Sequence, residues 1–272
     1  MPVENLNGVD LYYEVHGDGP PLVLLHGSWS NAKRWEAIVA PLAQEFQVIR
    51  YDRRGHTRSE RPEGGRTRSQ DEDDLAAVIE RFAGGSAHVV GNSFGGLTSL
   101  GLATRRPKLL RGVTAHEPPA AASAAPGEPA RLAQEAADEV QVVLREIEAG
   151  ELEVAARRFV EEIALGPGMW EMLPEEMRGD FIENAPAFAA EQADPHWLDL
   201  DLGALERYPG PLLITKGTVS PRWLQLVADS IVDAVPHASA ATIEGSGHGP
   251  HLTHPEEYVK LVADFVHTGA VA

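Results

Sequence analysis

The sequence contains no cysteine, which removes thiol nucleophiles, disulfide frameworks and thiolate metal sites together. Positive charge is scarce as well: 23 Lys and Arg stand against 41 Asp and Glu, a formal net charge of −18. A field of that sign repels phosphate backbones and anionic lipid surfaces, so neither nucleic acid nor a membrane is expected as a partner. No apolar run approaches the length of a membrane span. Met1–Asp10 lacks the basic and apolar regions of a signal peptide, so a cytoplasmic protein is expected. Internal repeats, a dinucleotide-type glycine fingerprint and clustered metal ligands are all missing; no cofactor and no metal is expected, and no signal for an oligomeric state is visible.

What is present is a long, ordinary globular composition: 272 residues with 43% hydrophobic and 24% charged side chains, enough for a large core without covalent staples. Short apolar runs alternate with amphipathic segments. Asp10–Val15, Pro21–Leu25, Phe46–Tyr51, Ala87–Val90, Gly112–Ala115, Pro211–Thr215 and Ala240–Ile243 read as strands, and Asn7-Gly8 as a tight turn that opens with an antiparallel hairpin. Ala32–Gln44, Asp71–Phe82, Phe94–Thr104, Arg222–Val235 and Glu256–Val266 carry helical spacing. Such alternation predicts an α/β fold with a mostly parallel central sheet and helices on both faces. The rhythm breaks after Glu117, where prolines punctuate an Ala-rich stretch; helical patterns follow at Leu132–Glu148 and Leu152–Leu165, and no strand pattern returns before Pro211. The reading is one sheet in two pieces, residues 1–117 and 206–272, with a helical insertion over 118–205.

The strongest local signal is Gly91-Asn92-Ser93-Phe94-Gly95-Gly96, between the apolar strand His88–Val90 and a helical run from Leu97. In that strand–turn–helix context G-x-S-x-G marks a strained turn that lifts a serine hydroxyl above the sheet, at the positive end of a helix dipole. The competing reading is a glycine-rich turn whose serine only caps the helix. A nucleophilic Ser93 needs a base, and His248 in Glu244–Gly249 lies directly after the last strand and before the last helix. His251 and His254 are the alternatives on the same loop. An oxyanion needs donors; the backbone N–H groups of Ser28 and Phe94, with Trp29 as a further candidate, are expected to supply them, while His26 holds the loop. Trp29 and Phe94 are also the candidates for a substrate pocket, and Met169, Trp170, Met172, Phe181, Phe188 and Trp197 supply apolar surface in the insertion that is equally consistent with core packing.

Taken together, the His26-Gly27 loop, Tyr51-Asp52-Arg53-Arg54-Gly55-His56-Thr57-Arg58-Ser59, the Gly91–Gly96 elbow and Gly247-His248 resemble the α/β-hydrolase superfamily in order and spacing, in its branch of small esterases, lactonases and C–C hydrolases. The resemblance covers essentially the whole chain and implies that 118–205 is a cap over the active site. Two departures stand out. Thr57 occupies a position where the family commonly has glycine, and Gly217-Thr218-Val219-Ser220-Pro221 lacks the aspartate that many members carry there as triad acid. The resemblance then implies Glu117, at the alternative strand end used by some members, as the acid; the competing reading is that Glu117 only starts the cap, and the other options are Asp199, Asp201 or no acid at all. The expected activity is a serine hydrolase cleaving an ester or lactone of a small, largely apolar substrate through an acyl-enzyme. The alternatives are C–C bond hydrolysis or a non-hydrolytic step, and a ligand-binding protein on the same scaffold.

Overall fold

The central strands are buried at nearly every position, and their side chains alternate between two cores, one on each face of the sheet. In the computed structural model, which describes residues 2–271, β3 (Pro21–Leu25) sends Leu22 and Leu24 into one core and Val23 and Leu25 into another. The eight strands β1 (Val3–Leu6), β2 (Val9–His16), β3, β4 (Gln47–Tyr51), β5 (Ala87–Asn92), β6 (Leu110–His116), β7 (Leu212–Gly217) and β8 (Ser239–Ile243) form one sheet in the order β1-β2-β4-β3-β5-β6-β7-β8. β1 and β2 form an antiparallel hairpin across Asn7 and Gly8, both at positive φ; β2 pairs antiparallel with β4, and every later pairing is parallel. The fold is that of an α/β hydrolase.

Helices α1 (Glu36–Leu42), α2 (Arg68–Phe82) and α3 (Phe94–Arg105) follow β3, β4 and β5. After β6 come α4 (Glu128–Glu148), α5 (Leu152–Arg158), α6 (Met169–Met172), α7 (Glu175–Glu191) and α8 (Leu202–Glu206), with no strand before β7; α9 (Arg222–Ala234), α10 (Pro250–Thr253) and α11 (Pro255–Thr268) complete the chain. Trp35, Ile38, Tyr258 and Val262 cover one face of the sheet, and Leu75, Ile79, Leu97, Leu100, Val227 and Ile231 the other. A third apolar cluster joins Trp29, from the loop after β3, to Val143, Phe159, Trp170 and Phe188 of the helices after β6.

Two helical expectations differ in detail. The segment expected as one helix over 32–44 begins as a 3-10 turn, Ala32–Trp35, because the Asn31 side chain accepts from Lys33 N at 3.0 Å and tightens the entry. The segment Leu152–Leu165 is α-helical only to Arg158 and continues as a π-helical turn, Phe159–Ala164. That wider turn rotates its side chains relative to a regular helix, and Phe159, Ile163 and Ala164 face the cavity described next.

Candidate active site

In a parallel sheet the carboxyl ends of neighbouring strands rise to the same edge, where open α/β folds place their sites. Here Asn92 at the end of β5 pairs with His116 at the end of β6, and His116 pairs with Thr215 near the end of β7. Ser93, Glu117 and the loop carrying His248 therefore emerge side by side although they are far apart in sequence.

Ser93 has φ 53° and ψ −125°, a backbone state a non-glycine residue adopts only under constraint. The constraint is visible: Ser93 N donates to His116 O at 2.8 Å, and Ser93 O accepts from Leu97 N at 3.0 Å. Close packing behind the elbow demands glycine at 95, where a Cβ would stand 2.3 Å from Leu25 O. Gly27 is equally constrained, since a Cβ there would lie 2.9 Å from the Cβ of Ser93. The His26–Ser28 loop thus runs directly against Ser93.

Glu117 follows β6 with φ 44° and is wholly buried. Its Oε2 lies 2.6 Å from His248 Nδ1, and its Oε1 accepts from Gly217 N at 2.8 Å. Burial alone would raise the Glu117 pKa; the neighbouring imidazoles of His116 and His248 and their hydrogen bonds outweigh it and hold the carboxyl well below its ordinary 4.5. The carboxylate fixes His248 with Nδ1 as donor and leaves Nε2 as acceptor. Asn92 Nδ2 donates to His248 O at 2.8 Å and ties the histidine loop to the elbow. No hydrogen bond joins Ser93 to His248 among the described residues, yet both side chains line the same cavity.

The other candidates are engaged elsewhere. Asp199 pairs with His196 at 2.8 Å on the surface, and Asp201 caps α8 through Ala204 N. His251 is buried against Trp35, and burial pushes its pKa down to about 3. His254 meets Thr253. Ser220, at the position of the missing aspartate, is buried with its Oγ unpartnered. His116, Glu117 and His248 are the one group of described residues whose donor atoms cluster within 4.8 Å as metal ligands would. Both Glu117 oxygens already accept hydrogens there, so the geometry is that of an imidazole hydrogen-bonded to a carboxylate.

The loop after β3 is held at several points. His26 accepts from Arg53 N at 2.9 Å through Nε2, and its Nδ1 donates to Gly27 O at 2.8 Å. Burial, with the Arg53 charge, pushes its pKa well down, so it stays neutral. Ser28 Oγ donates to Glu191 Oε2 at 2.5 Å, at the end of α7. Glu191 is itself buried between Arg53, at 2.7 Å, and Arg66. Thr57, where glycine was anticipated from the resemblance, does take a positive φ of 38°, and its N–H donates to Asn184 Oδ1 at 2.9 Å on α7. The strain is offset by bonds that a glycine would make only in part, since Asn184 Nδ2 also donates to Thr57 Oγ1 at 3.0 Å.

Two chambers meet at Ser93 and His248. The larger, about 670 Å³, is lined mostly by apolar side chains from α4, the π-helical turn, α7 and α9, and its polar contributors are Ser28, Ser93, Gln141, Gln192 and His248. No Lys, Arg, Asp or Glu lines it. The second, about 560 Å³, adds Arg34, Asn92 and His251. The expectation that Trp29 and Phe94 line the pocket needs correction: both are fully buried one layer behind its wall. Trp29 stacks on Phe159 with centroids 4.9 Å apart, and Phe94 lies under the Arg53 guanidinium and beside Trp197. Phe159, Phe188, Trp197 and Trp223 are the aromatics that reach the cavity, while Trp170 is core and Met172 is exposed. Glu191 had no signature in the sequence, because its partners Ser28, Arg53 and Arg66 lie far along the chain; Asn92 and Arg53 stood inside recognised motifs but without a role of their own.

A strained serine at a strand–helix elbow, with a carboxylate-paired histidine at the same sheet edge, defines the class of nucleophile-elbow α/β proteins. The model of the alpha/beta hydrolase family matches residues 22–261, and the chain belongs to that family. It is 37% identical over 114 residues to the putative carbamate hydrolase RutD of Azorhizobium caulinodans, a match taking in 42% of this chain and 43% of that protein. It is 34% identical over 111 residues to the 2-(acetamidomethylene)succinate hydrolase of Mesorhizobium japonicum, 41% of this chain and 40% of that one. The matched stretch thus spans about two-fifths of the length of these curated relatives. Among solved structures, Est816, titled an N-acyl homoserine lactone degrading enzyme, superposes with a TM-score of 0.75 at 27% identity, over 97% of this chain and 100% of that one. Among the described residues no helix is long and apolar enough to cross a membrane.

Proposed function

We propose that this protein is a serine hydrolase acting on an uncharged ester or lactone with a largely apolar acyl part. The observation that carries the reading is the Glu117–His248 pair at 2.6 Å, with His248 and Ser93 facing one apolar cavity that no charged side chain lines. In this reading His248 Nε2 removes the Ser93 proton as Oγ attacks the acyl carbon. The N–H groups of Ser28 and Phe94, with Trp29 nearby, receive the oxyanion, and losing one such donor costs about 3–4 kcal/mol of transition-state stabilisation. The imidazolium formed is paired by Glu117 and gives its proton to the departing alkoxide, leaving an acyl-enzyme; water, activated by the same histidine, then releases the acid. The helices over 118–205 act as the cap, and their side chains set the acyl pocket.

The relative titled as an N-acyl homoserine lactone degrading enzyme supports keeping lactones beside open esters. A dicarboxylate such as the Mesorhizobium relative is named for finds no Lys or Arg in the larger chamber, and Arg34 of the second is paired with Asp180 at 2.8 Å, which favours a neutral substrate here. The case for a ligand-binding protein rested on the missing aspartate after Gly217, and it weakens once another carboxylate lies against His248. A fluorophosphonate followed by intact mass tests the reading: one adduct on the native protein and none on Ser93→Ala is expected, and an unlabelled native protein would sink it. Product analysis on ester, lactone and β-diketone panels then separates ester chemistry from C–C cleavage.

A further inference from the structure

His116, the last residue of β6, meets the site twice without being one of its reacting groups. Its carbonyl oxygen accepts from Ser93 N at 2.8 Å and so holds the strained elbow. Its side chain is wholly buried beside the acid: Nε2 lies 3.5 Å from Glu117 Oε2, and Nδ1 lies 2.9 Å from Thr215 Oγ1. Nε2 is sealed from solvent and makes no hydrogen bond of ordinary length and angle. A lone pair on Nε2 would face the carboxylate and be repelled. The hydrogen therefore belongs on Nε2, and Nδ1 accepts from the Thr215 hydroxyl. Glu117 has no other source of positive potential from a charged side chain: among the described residues His116 and His248 are its ion-pair neighbours, and neither Lys nor Arg reaches it. A buried polar ring costs desolvation where phenylalanine would fill the same space, unless its dipole is used.

We propose that His116 is a positioning residue for the hydrolytic site: its Nε2–H, set by Thr215, holds the Glu117 carboxylate charged and aimed at His248. This rests on the serine hydrolase reading, in which the imidazolium formed on His248 needs that charge. At 3.5 Å the contact is a dipole set against a charge, in a water-free place where such an interaction is stronger than in water. Gly217 N and His248 Nδ1 supply the two close hydrogen bonds to the carboxylate, and His116 adds the third donor from the side of the sheet. A residue that merely packed would make no use of the Glu117 charge, and its replacement would not depend on that charge.

A double-mutant cycle on the rate of Ser93 labelling by a fluorophosphonate tests this. His116→Phe keeps a ring and removes the donor, and it should slow labelling by about tenfold, the scale of one donor to a charged group. In a Glu117→Gln background the same change should cost about twofold or less, because the charge it serves is gone. His116→Gln, whose amide N–H₂ can stand in for Nε2–H, should stay within about threefold of the native rate. Equal losses in the two backgrounds, or no loss in the native one, overturn the proposal. Imidazole nitrogen NMR of the native protein gives a readout that depends neither on turnover nor on the folding of His116→Phe. The His116 hydrogen is expected on Nε2, and a bare Nε2 overturns the proposal as well. Failure of the hydrolase reading would show differently, as a native Ser93 that takes no label, and the NMR would still decide whether His116 donates toward Glu117.

Discussion

The loops after β6 and β7 leave neighbouring strands at the same edge of the sheet, yet they have exchanged parts. The loop after β7 carries Ser220 where the resemblance leads one to expect an acid, and the contribution from this side is a backbone N–H, from Gly217 at the end of β7 to Glu117 Oε1 at 2.8 Å. The loop after β6 supplies the carboxylate, 2.6 Å from His248. Because the two strands are hydrogen-bonded neighbours, a side chain from either can reach one imidazole. What matters to the histidine is a carboxylate on Nδ1, and the strand that delivers it is free to change.

The comparison breaks most sharply if Glu117 is neutralised. Glu117→Gln should lower kcat by about 10³–10⁴-fold, as for other triads that lose their acid while keeping geometry. If Asp199→Asn or Asp201→Asn lowers it as far, the β6 loop is not the source of the acid. Placing the acid back in the other loop is the next test. Val219 N donates to Ser246 O at 3.0 Å, so the β7 loop runs beside the histidine loop. Ser220→Asp added to Glu117→Gln should then recover about ten- to a hundredfold of the loss, a fraction of what an acid in place is worth. No recovery would mean that the β7 loop no longer presents position 220 to His248.

Smaller effects sharpen the picture. Asn92→Ala removes the bond that ties His248 O to the elbow, and one such hydrogen bond predicts a fall in kcat of up to about tenfold, with KM little changed. The pH dependence of stability carries a sign that can be checked by denaturant titration. The folded-state pKa of Glu117 is depressed below 4.5, so its ionisation stabilises the fold above that pH and the contribution is lost as pH falls through the folded-state value. The stability gap between the native protein and Glu117→Gln should therefore be widest above pH 4.5 and should narrow on acidification. A gap that widens at low pH would mean that Glu117 is protonated in the fold.

Ser93 and His248 were legible in sequence because local chemistry marks them: glycines around a serine between a strand and a helix, and a histidine after the last strand. The sheet was legible for the same reason, through apolar runs such as Leu22–Leu25. Glu117 was visible only through resemblance, since a lone glutamate before two prolines has no local signature. The contact of Ser28 with Glu191 was not legible at all, because it depends on α7 docking its last turn 163 residues away from Ser28. Trp29 and Phe94 misled for the opposite reason. They adjoin Ser28 and Ser93 in sequence, but their backbones turn the rings into the core.

The central claim is that Glu117 works through His248 on Ser93, and the rate of Ser93 phosphonylation tests it most directly. Native protein, Ser93→Ala and Glu117→Gln would be mixed with a fluorophosphonate and followed by intact mass over time. The account predicts one adduct on the native protein, none on Ser93→Ala, and labelling of folded Glu117→Gln slowed by about a hundredfold or more. Labelling of Glu117→Gln at the native rate would contradict it.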